Sequence, residues 1–274
     1  MEGGGMRGIF SAGVLDEFLT SGFDPFDLYI GVSAGACNLS SHVAGQIRRN
    51  YRLYTGLMQR PEVFSWKRFF LGGHYFDLDW FWDTAYREDR LDVWAAEENT
   101  RGKGKEFVVE CTSVDTGKDV YFEPVAKNWS TMIKASSALP ILYKTPLFIE
   151  GKRVVDGGVA VSIPVMEAHR RGAKRIVVIR SNPADYVKKD DLDGWLVAVL
   201  HRNDPGLVKA VRNRTNTYNQ AVHFIKNPPA GTKTWHIAPP QQLKTGRTSL
   251  DLRALESDYR LGRSIGRRFI EDWT

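Results

Sequence analysis

Cysteine is scarce in this chain of 274 residues: Cys37 and Cys111 are the two it has, and no Cys-x-x-Cys pair occurs. A disulfide framework is therefore excluded as an organising device, and a reducing, cytoplasmic setting is expected. Cys37 lies four residues after Ser33, but a buried small hydrophobe is the role its type favours. No run approaches about 18 consecutive apolar residues, and no apolar stretch follows a charged N-terminus, so neither a spanning helix nor a secretory leader is expected. Gly-Lys-Ser/Thr is missing, which removes a P-loop. Repeats, low-complexity tracts and Pro/Gly/Ser-rich linkers are missing too, so the chain is expected to form one unit over 1–274.

Acidic residues are outnumbered by basic ones, 32 to 38, giving a net charge of +6. Such a balance suits an anionic membrane surface or nucleic acid, yet many ordinary enzymes share it. Peripheral contact with an anionic membrane is one expectation, and no specific nucleic-acid partner is read from it.

What is present is an alternation of helix and strand patterns. Ile9 to Leu19 groups its apolar residues at helical spacing and ends at Ser21-Gly22. Leu28 to Val32 is a strand, and Ala34 to Ala44 the helix after it. From Arg48 to Ala96 the sequence is irregular and aromatic, with Trp66, Phe69, Phe70, Tyr75, Phe76, Trp80, Phe81 and Trp82 among its rings. Two readings fit: a helical insertion packed on the core, or a cap lining an apolar cleft. Glu106 to Thr112 and Val120 to Phe122 read as a hairpin around Asp115-Thr116-Gly117. Trp129 to Ser137 is helical, and Arg153 to Val155 a short strand running into Asp156-Gly157-Gly158. Pro164 opens a helix to Arg171. Arg175 to Arg180 and Lys233 to Ala238 are strands. Leu207 to Ile225 and Leu250 to Trp273 are basic helices. The alternation argues for one α/β domain.

Three glycine-marked turns carry the chemistry. Gly31-Val32-Ser33-Ala34-Gly35 follows a strand and precedes a helix, the pattern of a nucleophile elbow. An ordinary Gly/Ser turn has the same spelling. Gly3-Gly4-Gly5-Met6-Arg7-Gly8 is a run of backbone N–H groups opening a helix, a place that attracts anions and suits a tetrahedral oxyanion. Gly3, Gly5 and Gly8 also spell G-x-G-x-x-G, with Asp24 or Asp27 at the acidic position of a dinucleotide site. That reading leaves Ser33 without a purpose. Asp156 ends a strand beside two glycines, so other groups can approach it closely. It reads either as a turn aspartate or as a base for Ser33. With an ordinary pKa near about 3.9 it would be a weak base, and burial would have to raise it. Histidine is the usual base, but none of His42, His74, His169, His201, His223 and His236 lies in a distinctive turn. His42 is nine residues past Ser33, too far along its helix to reach back.

Together, in order, these three turns resemble the patatin-like phospholipase family. The resemblance extends to Ala135-Ser136-Ser137-Ala138-Leu139-Pro140 and Ser162-Ile163-Pro164, and covers most of Met1 to Arg180. It implies a three-layer α/β sandwich with a central, mainly parallel sheet, an aromatic insertion over about 48–96 and a C-terminal helical part over about 181–274. It also implies a serine–aspartate dyad: Ser33 as nucleophile, Asp156 as proton acceptor, and the amides of Gly4, Gly5 and Met6 as oxyanion hole. Arg7 would steady that loop or the developing charge, and Gly31 and Gly35 would flank the nucleophile. The implied reaction is hydrolysis of phospholipid or other long-chain acyl esters through an acyl-enzyme, with no metal or cofactor. The family's strand before the glycine loop has no counterpart here, which predicts a start lying upstream of Met1 and a loop short of one anchor. A histidine-dependent esterase using His169, His201, His223 or His236 and a non-catalytic lipid binder acting through the basic C-terminal third are the rival readings.

Overall fold

The computed structural model describes residues 1–189 and 202–273. Its strands are β1 (Leu28–Val32), β2 (Glu106–Ser113), β3 (Asp119–Phe122), β4 (Leu147–Ile149), β5 (Lys152–Asp156), β6 (Arg175–Ile179) and β7 (Lys233–Ile237). The helices are α1 (Gly8–Thr20), α2 (Ala34–Val43), α3 (Arg49–Thr55), α4 (Trp66–Phe70), α5 (Leu78–Glu88), α6 (Val93–Asn99), α7 (Trp129–Ser136), α8 (Val165–Arg170), α9 (Pro205–Lys226) and α10 (Leu252–Glu271). Successive side chains of a strand point to opposite faces, and β2 shows what that achieves. Phe107, Val109 and Cys111 join one apolar cluster with Phe10, Val14, Leu39 and Met132. Val108 joins the other, with Ile163, Val178, Ala221 and Ile225. Helices α1, α2 and α7 thus cover one face of the sheet and α8 and α9 the other, in three layers.

The sheet is mixed. β1 pairs with β2 in parallel and β6 with β7 likewise. β3, β4 and β5 pair antiparallel, a larger antiparallel share than the expected mainly parallel sheet. Local turns account for it: Gly117, with φ of 68°, closes β2–β3, while Glu150 and Gly151, with φ of 50° and 75°, close β4–β5. The two-residue β4–β5 turn, with positive φ at both positions, matches the twist of antiparallel strands.

Register places Ser33 and Asp156. Val109 and Glu110 each face both β1 and β3, while Cys111 and Thr112 each face both β3 and β5. β1 and β5 therefore share one edge of β2, end to end. β1 runs toward its last residue, Val32, opposite Glu110; β5 arrives from the other direction and ends at Asp156, opposite Cys111. The residue after Val32 is Ser33, so serine and aspartate meet where the two strand ends converge.

Met1 and Glu2 join the two sheets. The Met1 nitrogen donates to the Ile30 carbonyl at 2.7 Å, and the Glu2 amide to the Ile179 carbonyl at 3.0 Å. Residues 48–96 form their own apolar cluster of Leu53, Val63, Phe76, Leu78 and Phe81 with Ala138 and Tyr143. Side chains of Ser65, Asp77 and Asp92 cap α4, α5 and α6 by accepting first-turn amides. Among the described residues no helix is long and apolar enough to cross a membrane.

Candidate active site

Ser33 has φ of 53° and ψ of −127°, a conformation costly for any residue with a side chain. Close packing holds it there. A Cβ at Gly31 would lie 2.5 Å from the Ala36 Cα, and one at Gly35 would lie 2.6 Å from the Glu2 carbonyl. Both flanking positions thus need glycine, as the elbow pattern requires. The Ser33 amide donates to Ser136 Oγ at 2.8 Å, and the Ser136 hydroxyl donates to the Glu110 carbonyl at 2.5 Å.

The Ser33 hydroxyl donates to Asp156 Oδ2 at 2.6 Å across 123 residues of sequence. Asp156 is buried, and its Oδ1 accepts the Gly158 amide at 2.7 Å. The Asp156 amide donates to the Ala138 carbonyl at 3.0 Å, and its own carbonyl accepts the Thr112 hydroxyl at 2.9 Å. Burial raises the Asp156 pKa above the ordinary carboxylate range, opposed by the hydrogen bonds from Ser33 and Gly158 and by the charges of Arg214 and Arg247. The aspartate is thereby a better base than an exposed one.

The glycine loop lies beside this pair: a Cβ on Gly3 would be 3.0 Å from the Ser33 Cβ. Neither the Gly4 nor the Gly5 amide donates to a described residue, whereas the Met6 amide donates to the Arg247 carbonyl at 3.0 Å. Of the three amides expected to form an oxyanion hole, that of Met6 is thus already engaged. Gly5 has φ of 56° and abuts the Arg247 carbonyl, so it too is fixed. Arg7 is buried and turned away from solvent, its Nη1 donating to Asn182 Oδ1 at 2.9 Å. It anchors the loop.

The loop has more anchors than the sequence suggested. The buried Glu2 carboxylate accepts from the Ser181 amide at 2.5 Å, Ser181 Oγ at 3.0 Å, Asn182 Nδ2 at 3.0 Å and the Tyr218 hydroxyl at 2.8 Å. Together with Gly3 donating to the Ser162 carbonyl at 3.3 Å, these bonds tie the loop to β6 and α9. Nothing local in Glu2, Ser181 or Tyr218 announces this; the partners lie 179 to 216 residues apart in sequence.

A cavity of about 350 Å³ opens over Ser33, Asp156 and Gly3 to Met6. Its far walls are Leu53, Tyr54, Met58, Phe64, Phe76, Leu78, Phe81 and Trp82 from the insertion, with Leu139, Ile141 and Leu142. The insertion therefore both packs on the core and lines a cleft. Arg214, Arg247 and Thr248 also line it.

The histidines lie elsewhere, and no described histidine lines that cavity. His42 is buried against the Tyr29 ring, its pKa lowered by burial to about 4. His74 accepts the Lys144 amide at 3.0 Å. His169 pairs with Thr232, His223 with Asn227 and His236 with Arg180. His201 is outside the described residues. The basic C-terminal helix also has inward work: Arg263 and Arg267 of α10 donate to Glu17 of α1 at 2.7 and 2.9 Å.

A three-layer α/β fold with a strained serine at a strand-to-helix turn has the build of a serine hydrolase. The model of the patatin-like phospholipase family matches residues 1–169, and that of a domain of unknown function, DUF6363, matches residues 204–274. The chain belongs to the patatin-like phospholipase family, a family of hydrolases. It is 37% identical to an uncharacterized Escherichia coli protein, YjjU, over 98% of this chain and 75% of that one. It is 26% identical to lysophospholipase NTE1 of Lodderomyces elongisporus over 99% of this chain but 19% of the relative. With NTE1 of Saccharomyces cerevisiae the identity is 26%, over 98% of this chain and 16% of the relative. The chain thus spans less than a fifth of these NTE1 proteins.

Proposed function

We propose that the protein hydrolyses acyl esters of lipids, phospholipids or lysophospholipids among them, with Ser33 as nucleophile and Asp156 as its base. One observation carries the reading: a 2.6 Å hydrogen bond from the Ser33 hydroxyl, on a strained turn, to the buried Asp156 carboxylate. Apolar walls that can take an acyl chain support it, as does the glycine loop lining the same cavity, whose Gly4 and Gly5 amides would receive the oxyanion.

In this mechanism an ester carbonyl enters beside the glycine loop. Ser33 Oγ attacks the carbonyl carbon while its proton passes to Asp156 Oδ2. The tetrahedral oxyanion accepts hydrogen bonds from Gly4 and Gly5, each donor of this kind contributing about 3 kcal/mol. Collapse breaks the bond to the headgroup-side oxygen, which takes the proton from Asp156. Water then attacks the acyl-enzyme, Asp156 accepts its proton, and Ser33 Oγ recovers it as the fatty acid leaves.

The test is turnover of a p-nitrophenyl acyl ester by Ser33→Ala and Asp156→Asn, alongside labelling with a fluorophosphonate probe. Loss of turnover in both variants, with wild-type labelling mapped to Ser33, is the expected result. Retained turnover in both would remove the dyad; loss on replacing a histidine instead would favour a histidine-dependent esterase.

A further inference from the structure

The insertion exposes apolar side chains that its fold leaves uncovered. Trp66 is 60% exposed, Phe70 78% and Leu71 77%. All three are on α4 and the turn after it. A contiguous apolar patch that stays exposed on a built structure marks a binding surface. This one is built. The Arg68 guanidinium donates to the carbonyls of His74 at 2.8 Å, Glu62 and Val63 at 3.0 Å, and Tyr75 at 3.1 Å. Those four bonds lock the chain on either side of the tip. The Trp66 ring then packs on Tyr75 at 4.3 Å and stacks with Phe70 at 6.0 Å, so the exposed rings are held outward.

We propose that residues 66–72 are a docking tip that inserts into an anionic lipid surface, joined through Tyr75 to the Phe64 wall of the cavity over Ser33. Three observations favour a bilayer over other occupants. Charge is the first: from Val63 to Phe76 there is no acidic residue, while Lys67 is exposed within the apolar cluster and Lys144 Nζ lies 4.2 Å from the Phe69 ring centre. Aromatic and aliphatic side chains interleaved with cations are the composition that settles at a membrane interface. The second is continuity with the cavity. Tyr75, against Trp66, also packs on Phe64 at 5.5 Å, and Phe64 lines the cavity. The third is the lining itself: Phe64, Phe76, Leu78 and Phe81 line the same cavity as Ser33. The choice of lipid as occupant rests on the proposed hydrolysis of lipid esters, while the surface itself does not.

The experiment uses the full chain carrying Ser33→Ala, so that binding is read without hydrolysis. Sedimentation with phosphatidylcholine vesicles containing about one third phosphatidylglycerol should carry the protein down, with a blue shift of tryptophan emission, and pure phosphatidylcholine should carry down less. Replacing Trp66, Phe70 and Leu71 together by serine should weaken binding at least about tenfold, since burial of even one such side chain is worth about that factor. Lys67→Glu should weaken binding to the anionic vesicles alone. With Ser33 intact, the triple variant should hydrolyse a short soluble ester at the wild-type rate, because none of the three residues lines the cavity. Failure of the parent to bind either vesicle, or equal binding by the triple variant, overturns the proposal. So does a changed oligomeric state in the triple variant with vesicle binding untouched, which would make the patch a protein contact. Hydrolysis surviving Ser33→Ala would count against the dyad and leave the docking result standing.

Discussion

Asp156 is the residue whose environment differs most from its sequence. In the chain it is one Asp-Gly among many possible turn aspartates; in the fold it is buried, bonded to Ser33 and raised in pKa by desolvation. A base acts only when deprotonated. kcat/KM should therefore climb with pH to a plateau, with a midpoint above the ordinary aspartate value of about 3.9. Asp156→Asn should lower kcat by about a hundred- to ten-thousandfold and erase that limb. A pH–rate profile already flat at and above ordinary carboxylate values would count against the assignment. Ser136 makes a second case. Its hydroxyl accepts the Ser33 amide, and Ser136→Ala leaves that N–H without its acceptor, costing about 1–3 kcal/mol. Turnover should fall about tenfold or more with the fold intact, checked by kcat and circular dichroism. Glu110 provides a third test. Its carboxyl is buried with no hydrogen-bond partner among the described residues, and burial holds its pKa well above the ordinary 4.5. The unfolded chain then releases this proton at lower pH than the folded one, so stability falls as pH rises from about 4.5 toward the folded value. Glu110→Gln should raise Tm relative to wild type by an increment that grows with pH over that window. Thermal melts at several pH values decide it; a constant difference would sink the idea. Ser33, Asp156 and the glycines could be read from sequence because their turns have a spelling. Ser136 could be noticed only as part of a motif, and Glu110 not at all, since both depend on what lies across the sheet.

At the scale of elements, the longer helices and most strands follow from apolar spacing and from residues that stop a helix. β4 was not read: Leu147–Ile149 is three residues long, too short for any period, although Glu150-Gly151 carries the turn chemistry of a hairpin. Glycines in α1 and α10 were equally silent. A Cβ on Gly262 would lie 2.0 Å from the Phe10 carbonyl, and one on Gly13 would lie 2.2 Å from the Tyr259 carbonyl. The two helices pack backbone to backbone through these positions, flanked by Glu17 with Arg263 and Arg267. Gly262→Ala must push α10 off α1, since the atom it meets is main chain. The expected cost is at least about 2 kcal/mol, or near 5 °C in Tm. A denaturant or thermal melt of the variant measures it, and an unchanged midpoint would show that the helices slide apart freely. Arg260→Ala, on the exposed side of the same helix, should change Tm little, because an exposed i,i+4 pair with Glu256 contributes about 0.5 kcal/mol.

For the whole molecule the question is whether the two matched regions are separable. The part matched as patatin-like ends at residue 169, and the DUF6363 part begins at 204. Their side chains do not respect that boundary. Tyr218 of α9 donates to Glu2 and accepts from Arg180 and Asn182, so the start of the glycine loop is held from the C-terminal region. Arg247 supplies the carbonyl that fixes Met6, and with Arg214 it lines the cavity over Ser33 and Asp156. One face of the sheet, through Ile30, Val108 and Val178, is covered by Tyr218, Ala221, Val222 and Ile225 of α9. We therefore propose a single folding unit whose C-terminal region completes the site. Ending the chain before Asp204 would uncover that face and strip the loop of two anchors. Residues 1–203 expressed alone should aggregate or show no cooperative melt, and should not react with a fluorophosphonate probe. Tyr218→Phe in the full chain separates folding from function. It keeps the ring in the core and removes one donor to Glu2, so it should melt cooperatively, with stability lowered by about 1–3 kcal/mol and with slower ester turnover. If residues 1–203 fold and turn over ester as the full chain does, the C-terminal region is an attachment and the single unit is refuted.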